Sequence, residues 1–134
     1  MRALIDTDIL LDVALEREPF FREAATVIRW AQDEPGQIGI AWHSLSNVAY
    51  LVHPARGFIS DLLQFIEVAP TGSREAKQAL GFPMADLEDA MQAAAALAFD
   101  ALYIVTRNVK DYKKSPVPAI TPSGFLAQVG RSSM

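Results

Sequence analysis

The 134-residue sequence contains no cysteine. Disulfide bonds, zinc–thiolate centres and thiol nucleophiles are therefore excluded, and a reducing cytoplasm is the expected compartment. The longest apolar run, from Ala93 to Phe99, is far shorter than the roughly 20 residues that a membrane-spanning helix needs, so no membrane association is expected. Excess positive charge is also lacking, because the formal net charge is −4. A nucleic-acid ligand would therefore need a local basic patch or a bridging cation.

The length of the chain corresponds to one domain, which we expect over residues 1–130, followed by a flexible polar tail at 131–134. A domain of this size buries about two-thirds of its unfolded surface, so it can fold without covalent crosslinks. The first six residues do not resemble a secretion signal, because Asp6 interrupts their apolar run after three positions.

Short apolar runs alternate with helical patterns along the chain. Runs without polar alternation are typical of strands buried on both faces, and we expect strands at Ala3–Ile5, Ile38–Ala41, Glu67–Ala69, Leu102–Val105 and Val117–Ile120. The expected helices run from a cap at Thr7 or Asp8 to about Glu16, over Phe20–Gln32, Ser44–Val52, Phe58–Phe65 and Ser73–Leu80, from Met84 or Ala85 to Phe99, and over Ser123–Val129. This alternation predicts an α/β fold, a three-layer α/β/α sandwich with a mostly parallel central sheet.

Polar residues follow two of the expected strands at the points where they end. Asp6 follows the first strand, and Thr106-Arg107-Asn108 follows the fourth. Ligands of open α/β sheets bind beyond the carboxyl ends of the strands, so both positions are candidate site residues. A third polar feature opens the alanine-rich helix, where a spacing of three places Asp86 and Asp89 close together on the helix surface.

These acids have two possible explanations. Acids in a first helical turn complement the helix dipole, which suffices for Asp86 or Glu88 taken singly. Asp6 and Asp89 are expected beside buried residues, where carboxylates repel each other unless a positive charge intervenes. Arg107 could supply that charge, but a divalent cation is the simplest partner, and oxygen ligands favour Mg²⁺ or Mn²⁺. Such a site suits phosphodiester hydrolysis, because the cation lowers the pKa of a water molecule and offsets charge on the leaving oxygen.

Other catalytic motifs are missing from the sequence. It contains no Gly-x-Ser-x-Gly elbow and no P-loop, and His43 and His53 fit no histidine-based metal motif, so we expect both histidines at the surface or at helix ends. We expect Trp42 in the core, with stacking on a nucleobase as the alternative.

Four blocks of the sequence together resemble the PIN-domain family. They are Asp6-Thr7-Asp8-Ile9-Leu10-Leu11-Asp12, Ser44-Leu45-Ser46-Asn47, Asp86-Leu87-Glu88-Asp89-Ala90, and Val105-Thr106-Arg107-Asn108 followed by Asp111-Tyr112. The blocks follow the order of the family and span nearly the whole chain. The resemblance implies a ribonuclease that uses Mg²⁺ or Mn²⁺. Many bacterial members are VapC-type toxins, which an antitoxin protein holds inactive and which are often dimeric.

The resemblance also implies roles for individual residues. The catalytic acids would be Asp6, Asp86, Asp89 and Asp111, with Asp6 and Asp89 as metal ligands, and the supporting residues would be Thr7, Ser44, Asn47, Thr106 and Asn108. Many members have Glu and Asp where this chain has Asn47 and Asn108, so we expect Asp86 and Asp111 to replace the missing charges, with weaker metal binding. RNA phosphates would contact Arg107, Lys110, Lys113 and Lys114, with a solvated basic loop as the alternative.

Two other functions match parts of the pattern. Asp6-Thr7-Asp8 resembles the Asp-x-Asp motif of haloacid-dehalogenase-like phosphatases, but Leu10 stands where that family usually has Thr or Val, and the chain is short for it. The Asn47 and Asn108 replacements also leave open a PIN-like scaffold that binds RNA or a protein partner without cleaving RNA.

Overall fold

The computed structural model describes residues 1–130, in which strands and helices alternate. The strands are β1 (Ala3–Ile5), β2 (Ile38–Ile40), β3 (Glu67–Val68), β4 (Tyr103–Val105) and β5 (Ala119–Ile120). The α-helices are α1 (Thr7–Ala14), α2 (Phe21–Asp33), α3 (Trp42–Leu51), α4 (Arg56–Leu62), α5 (Ser73–Gly81), α6 (Leu87–Ala98) and α7 (Pro122–Gln128), and a 3₁₀ turn covers Val109–Tyr112. No helix in this range is long and apolar enough to cross a membrane. The tail expected at 131–134 lies outside the described residues.

The five strands form one parallel sheet in the order β3-β2-β1-β4-β5. Strand β1 is central, and Leu4 is in register with Gly39 of β2 and Ile104 of β4. The carboxyl ends of β1 and β4 are therefore adjacent, and the backbone N–H of Asp6 donates to the carbonyl of Val105 at 2.9 Å. This pairing brings the polar residues that follow both strands to one edge of the sheet.

Helices cover both faces of the sheet. Ala3 and Ile5 of β1 face a core built from α1, α2, α3, α4 and α7. Leu4 and Ile104 face the opposite core, which α6 and Phe99 close. The predicted three-layer α/β/α sandwich is confirmed, and the described sheet is entirely parallel. Because β1, β2 and β4 pack on both sides, their short runs contain no exposed residue, whereas the edge strand β3 exposes Glu67.

Two local predictions were wrong. Helix α1 is capped by Asp6, whose Oδ1 accepts a hydrogen bond from the backbone N–H of Thr7 at 2.7 Å, so neither Thr7 nor Asp8 is the cap. Trp42 is the first residue of α3 and is 68% exposed, so it does not belong to the core. Ala41, the residue before it, is buried, and Trp42 lies on the exposed side of the chain at the start of the helix.

Candidate active site

Asp6 and Asp89 meet at one tyrosine hydroxyl. The hydroxyl oxygen of Tyr112 lies 2.9 Å from Asp6 Oδ2 and 3.3 Å from Asp89 Oδ1. Asp6 follows β1, Asp89 lies in the first turn of α6, and Tyr112 ends the 3₁₀ turn after β4. The structure therefore brings together the two residues predicted as metal ligands. Tyr112 itself was not predicted, although it stands directly after the Asp111 of the fourth block.

The Asp6 carboxylate is held in one orientation by its neighbours. Thr106 Oγ1 donates to Asp6 Oδ2 at 3.0 Å, beside the hydrogen bond from Tyr112, while the backbone N–H of Thr7 occupies Oδ1. The residue is only 7% exposed. Thr106, predicted as a supporting residue, thus contacts a predicted metal ligand directly.

The site carries uncompensated negative charge. Burial and the charges of Asp86 and Asp6 raise the pKa of Asp89 from its usual 3.8 to about 6, although the hydrogen bond from Tyr112 opposes this rise. Burial and the charges of Asp6 and Asp89 raise the pKa of Tyr112, so its hydroxyl keeps its proton and acts as a donor. A bound cation would relieve the repulsion between the two carboxylates.

Asp8 is a further acid, half-buried, and Thr106 Oγ1 lies within hydrogen-bonding distance of both Asp8 and Asp6. Its Oδ2 accepts from the backbone N–H of Arg107 at 3.0 Å and from Thr106 Oγ1 and Asn108 Nδ2, both at 3.4 Å. Burial and the charge of Asp6 raise its pKa from 3.8 to about 6. Its Oδ1 is buried without a hydrogen-bond partner among the described residues. The spacing in Asp6-Thr7-Asp8 was the signal in the sequence that could have identified it.

The guanidinium of Arg107 points to a different acid. Its Nε donates to Asp12 Oδ2 at 2.7 Å and its Nη2 to Asp12 Oδ1 at 3.3 Å, while the group lies 3.8 Å from the ring centroid of Phe20. Asp12 is fully buried and also accepts from Arg17 Nε at 3.0 Å. The hydrogen bonds that Arg107 donates to Asp12 raise the pKa of Arg107. The charge that was a possible partner for Asp6 and Asp89 is therefore engaged in an ion pair beneath the site.

A buried hydroxyl network joins three helices below Asp6. The side-chain oxygens of Thr7 and Ser44 lie 2.8 Å apart, and Gln92 Nε2 donates to Ser44 Oγ at 2.8 Å and to Thr7 Oγ1 at 3.2 Å. Gln92 is fully buried one turn after Asp89, so the network fixes α6 against α1 and α3. Gln92 was not predicted, although it is a polar residue within an alanine-rich helix. Asn47 lies one turn beyond Ser44 and is partly buried.

The remaining predicted residues line a cleft of about 580 Å³ beside Asp89, which we call the lysine cleft. Its charged lining consists of Asp86, Asp89, Asp111, Lys110, Lys113 and Lys114. Asp86 caps α6 by accepting from the backbone N–H of Asp89 at 3.0 Å, so α6 begins at Leu87 and the predicted start at Met84 or Ala85 was wrong. Asp111 is exposed at the 3₁₀ turn.

The donor set suits a hard divalent cation. Within residues 1–130, no three acidic or histidine side chains converge into a complete metal-binding cluster. The carboxylates of Asp6 and Asp89 nevertheless both lie within hydrogen-bonding distance of the Tyr112 hydroxyl, so the two acids are close together. Mg²⁺ in proteins is usually held by one or two carboxylates and completes its shell with water and substrate phosphates. The residues present therefore fit a cation that a phosphodiester helps to hold.

Comparisons with known proteins agree with this architecture. Similar folds occur in VapBC2 from Rickettsia felis bound to a promoter DNA fragment (TM-score 0.65, 15% identity, covering 90% of this chain and 98% of that chain). A toxin–antitoxin complex from Klebsiella pneumoniae is also similar, with a TM-score of 0.65 and 23% identity, covering 90% of this chain and 97% of that chain. FitAB bound to the IR36 DNA fragment has a TM-score of 0.62 and 13% identity, covering 90% of this chain and 94% of that chain. No curated protein matches the chain in sequence. The sequence pattern of the PIN domain matches residues 2–110, and the chain therefore belongs to the PIN-domain family.

Proposed function

We propose that this protein is an endoribonuclease that uses Mg²⁺ or Mn²⁺ to hydrolyse RNA phosphodiesters. The observation that carries the proposal is the placement of Asp6 and Asp89 on the hydroxyl of Tyr112, at the carboxyl edge of the sheet. Membership of the PIN-domain family supports nuclease chemistry, and the lysines of the neighbouring cleft support a polyanionic substrate.

Each residue of the candidate site has a separate role in this proposal. Asp6 and Asp89 would hold the cation, which would neutralise phosphate charge and lower the pKa of a water molecule. Thr106 and Tyr112 fix the Asp6 carboxylate through hydrogen bonds at 3.0 and 2.9 Å. Lys110, Lys113 and Lys114 attract the RNA backbone and orient it across the acid pair. No protein nucleophile is needed, because water attacks the phosphorus directly while the bond from phosphorus to one ribose oxygen breaks, and that oxygen leaves as a hydroxyl after taking up a proton from solvent.

RNA cleavage by matched variants tests this proposal. Wild type, Asp6→Ala, Asp89→Ala and the control Asp61→Ala, an exposed acid on α4, are incubated with single-stranded RNA and millimolar Mn²⁺. We expect wild type and Asp61→Ala to cleave at the same rate and the two site variants to lose at least about a hundredfold, the scale of a metal site's contribution. Equal cleavage by all four proteins would assign the activity to a contaminant or to another site.

We further propose that the chain is a toxin restrained by an antitoxin protein, that it forms a homodimer and that it acts in the cytoplasm. Two of the similar structures, from Rickettsia felis and Klebsiella pneumoniae, carry names that identify VapBC and toxin–antitoxin complexes, which supports the first point. Co-expression with the product of the neighbouring reading frame, followed by co-purification and RNA cleavage assays, tests it. A partner that binds and suppresses cleavage would support the toxin assignment, and a partner that binds without affecting cleavage would oppose it.

A non-cleaving PIN-like scaffold is the second candidate function. The observation that favours it is the missing third ligand among the described residues, since no three acids converge. The two candidates predict different results in one assay. A scaffold would bind RNA or a protein partner with the same affinity whether or not Mn²⁺ is present, and would leave the RNA intact.

A further inference from the structure

A second cavity, of about 220 Å³, opens on the side of α6 away from the lysine cleft. We call it the Trp42 pocket. Met91, Ala94 and Ala95 of α6 form one wall, and Trp42 and His43 at the start of α3 form another. Asp86, at the lysine cleft, and Ala95, in this pocket, are nine residues apart, about two and a half helical turns, so they lie on opposite sides of the helix. The two cavities therefore lie on either side of the helix that carries Asp89.

The chemistry of the Trp42 pocket suits a neutral flat ring. Its lining contains no lysine or arginine, and Glu75 contributes a carboxylate that accepts from the backbone N–H of Gly72 at 2.9 Å. The carboxylate of Glu75 would repel a phosphate group, whereas the small alanine side chains of the lining can pack against the face of an aromatic ring. Its volume is below the roughly 300–1,000 Å³ of pockets for drug-sized ligands, so a single ring system fits better than a larger molecule.

Trp42 has no role in the fold that explains its position. The side chain is 68% exposed, while the other tryptophan, Trp30, is 6% exposed and packs edge-to-face on Phe125 with ring centroids 5.2 Å apart. Exposed aromatic rings beside a nucleic-acid site serve as stacking surfaces for bases.

His43 adds a polar group to the same wall. Its Nε2 is buried and has no hydrogen-bond partner among the described residues, and leaving a buried polar atom unpaired is costly. Burial lowers its pKa, although Glu88 and Asp6 lie close enough for their charges to oppose this effect. His43 therefore adds to the pocket wall a ring nitrogen whose hydrogen-bonding capacity the described residues leave unused.

We propose that the Trp42 pocket is a nucleobase subsite, in which Trp42 stacks on one base of the RNA whose phosphate lies at Asp6 and Asp89. The subsite rests on the proposed ribonuclease function and extends it, because it would select the position of cleavage by the base that it holds. Backbone contacts in the lysine cleft carry no sequence information, so a pocket of this kind is where a base preference would arise.

Binding is measured without metal, so that no RNA is cleaved, using fluorescently labelled RNA pentamers that carry either a base or an abasic residue at each position in turn. We expect one abasic position to weaken binding to wild type by about tenfold, the scale of a single stacked base. Trp42→Ala should weaken binding of the intact pentamer by a similar factor and become insensitive to that abasic position. Tyr50→Ala, which removes another exposed aromatic from α3, should behave as wild type.

A second measurement does not depend on the nuclease. Free adenosine and uridine are titrated into a Trp30→Phe variant, in which Trp42 is the remaining tryptophan, and we expect saturable quenching of its fluorescence by at least one of them. Quenching without RNA cleavage would support the base-binding subsite and contradict the proposed ribonuclease function. RNA cleavage with no abasic effect and no quenching would overturn the subsite and leave the nuclease intact. A change in oligomeric state on Trp42→Ala with unaltered RNA binding would also overturn it.

Discussion

The hydroxyl of Tyr112 donates to the carboxylate of Asp6 across 2.9 Å, and the carboxylate of Asp89 lies 3.3 Å from the same oxygen. One phenol proton cannot fully satisfy two ionised acids, so the arrangement is electrostatically incomplete without a cation. Burial, together with the charges of Asp86 and Asp6, raises the pKa of Asp89 to about 6.

Replacing Tyr112 by phenylalanine removes this shared donor at almost constant volume. Because the hydrogen bond from Tyr112 lowers the pKa of Asp89, its loss should raise that pKa further. Mn²⁺ binding by Tyr112→Phe should therefore fall several-fold against wild type at a pH of about 6, and the difference should narrow at about 8. Calorimetry at both pH values measures the effect, with Tyr50→Phe as the control. A Tyr112→Phe variant that matches wild type at both pH values would disprove this role.

Asp8 is predicted to make stability fall as the pH rises. Its pKa is about 6 in the folded protein against an ordinary 3.8, so the folded state binds more protons between about pH 4 and 6. Stability is therefore lost as the pH rises through that window. Asp8→Asn removes the ionisation and should raise the free energy of unfolding by about 1–2 kcal/mol at a pH of about 8, with a smaller gain at about 4.5.

Urea unfolding in the presence of a chelator measures the Asp8 effect, so that metal binding does not contribute. The exposed Asp61→Asn variant is the control, and its stability should follow wild type at both pH values. A destabilised Asp8→Asn protein at high pH would mean that the hydrogen bond from the backbone of Arg107 outweighs the cost of burial.

Arg107 is predicted to act on stability through Asp12. The Asp12 carboxylate is fully buried, and Arg107→Ala would leave it with Arg17 as its one ion-pair partner within residues 1–130. We expect the free energy of unfolding to fall by about 3 kcal/mol, because breaking a buried pair leaves an uncompensated charge. Arg17→Ala should cost less, since Arg17 is 39% exposed and donates one recorded side-chain hydrogen bond against two from Arg107. Equal losses in the two variants, measured by urea unfolding, would contradict this ranking.

The three lysines of the lysine cleft are predicted to set the affinity for RNA. A triple variant with alanine at Lys110, Lys113 and Lys114 should bind RNA more weakly at low salt. The slope of its log affinity against log salt concentration should be smaller by about 2. Lys77→Ala, on α5, is the matched control and should leave the slope unchanged. An unchanged slope in the triple variant would identify these residues as a solvated basic loop.

The sequence predicted the elements of the fold better than their contacts. The apolar runs at Ala3–Ile5 and Ile38–Ile40 identified buried strands, because only a sheet covered on both faces removes polar alternation. The strand order could not be read from these runs, since it depends on which faces pack together. The caps at Asp6 and Asp86 were missed because several neighbouring residues could have capped each helix equally well.

The candidate site was predictable only in part. Asp6 and Asp89 were identified from their positions after a strand and in a first helical turn. The partner of Arg107 was not, because Asp12 lies 95 positions away in the sequence. The partners of Tyr112 and Gln92 could not be read from the sequence either, since only the fold shows that their polar atoms reach Asp6, Thr7 and Ser44.

Metal binding by the acid pair is tested most directly by thermal melting with and without Mn²⁺ in wild type, Asp6→Asn and Asp89→Asn. A ligand at about a hundred times its Kd stabilises the native state by about 2.7 kcal/mol, which is several degrees for a domain of this size. We expect the midpoint of wild type to rise with millimolar Mn²⁺ and those of both variants to stay fixed. Identical shifts in all three proteins, or none in wild type, would contradict a metal site at Asp6 and Asp89.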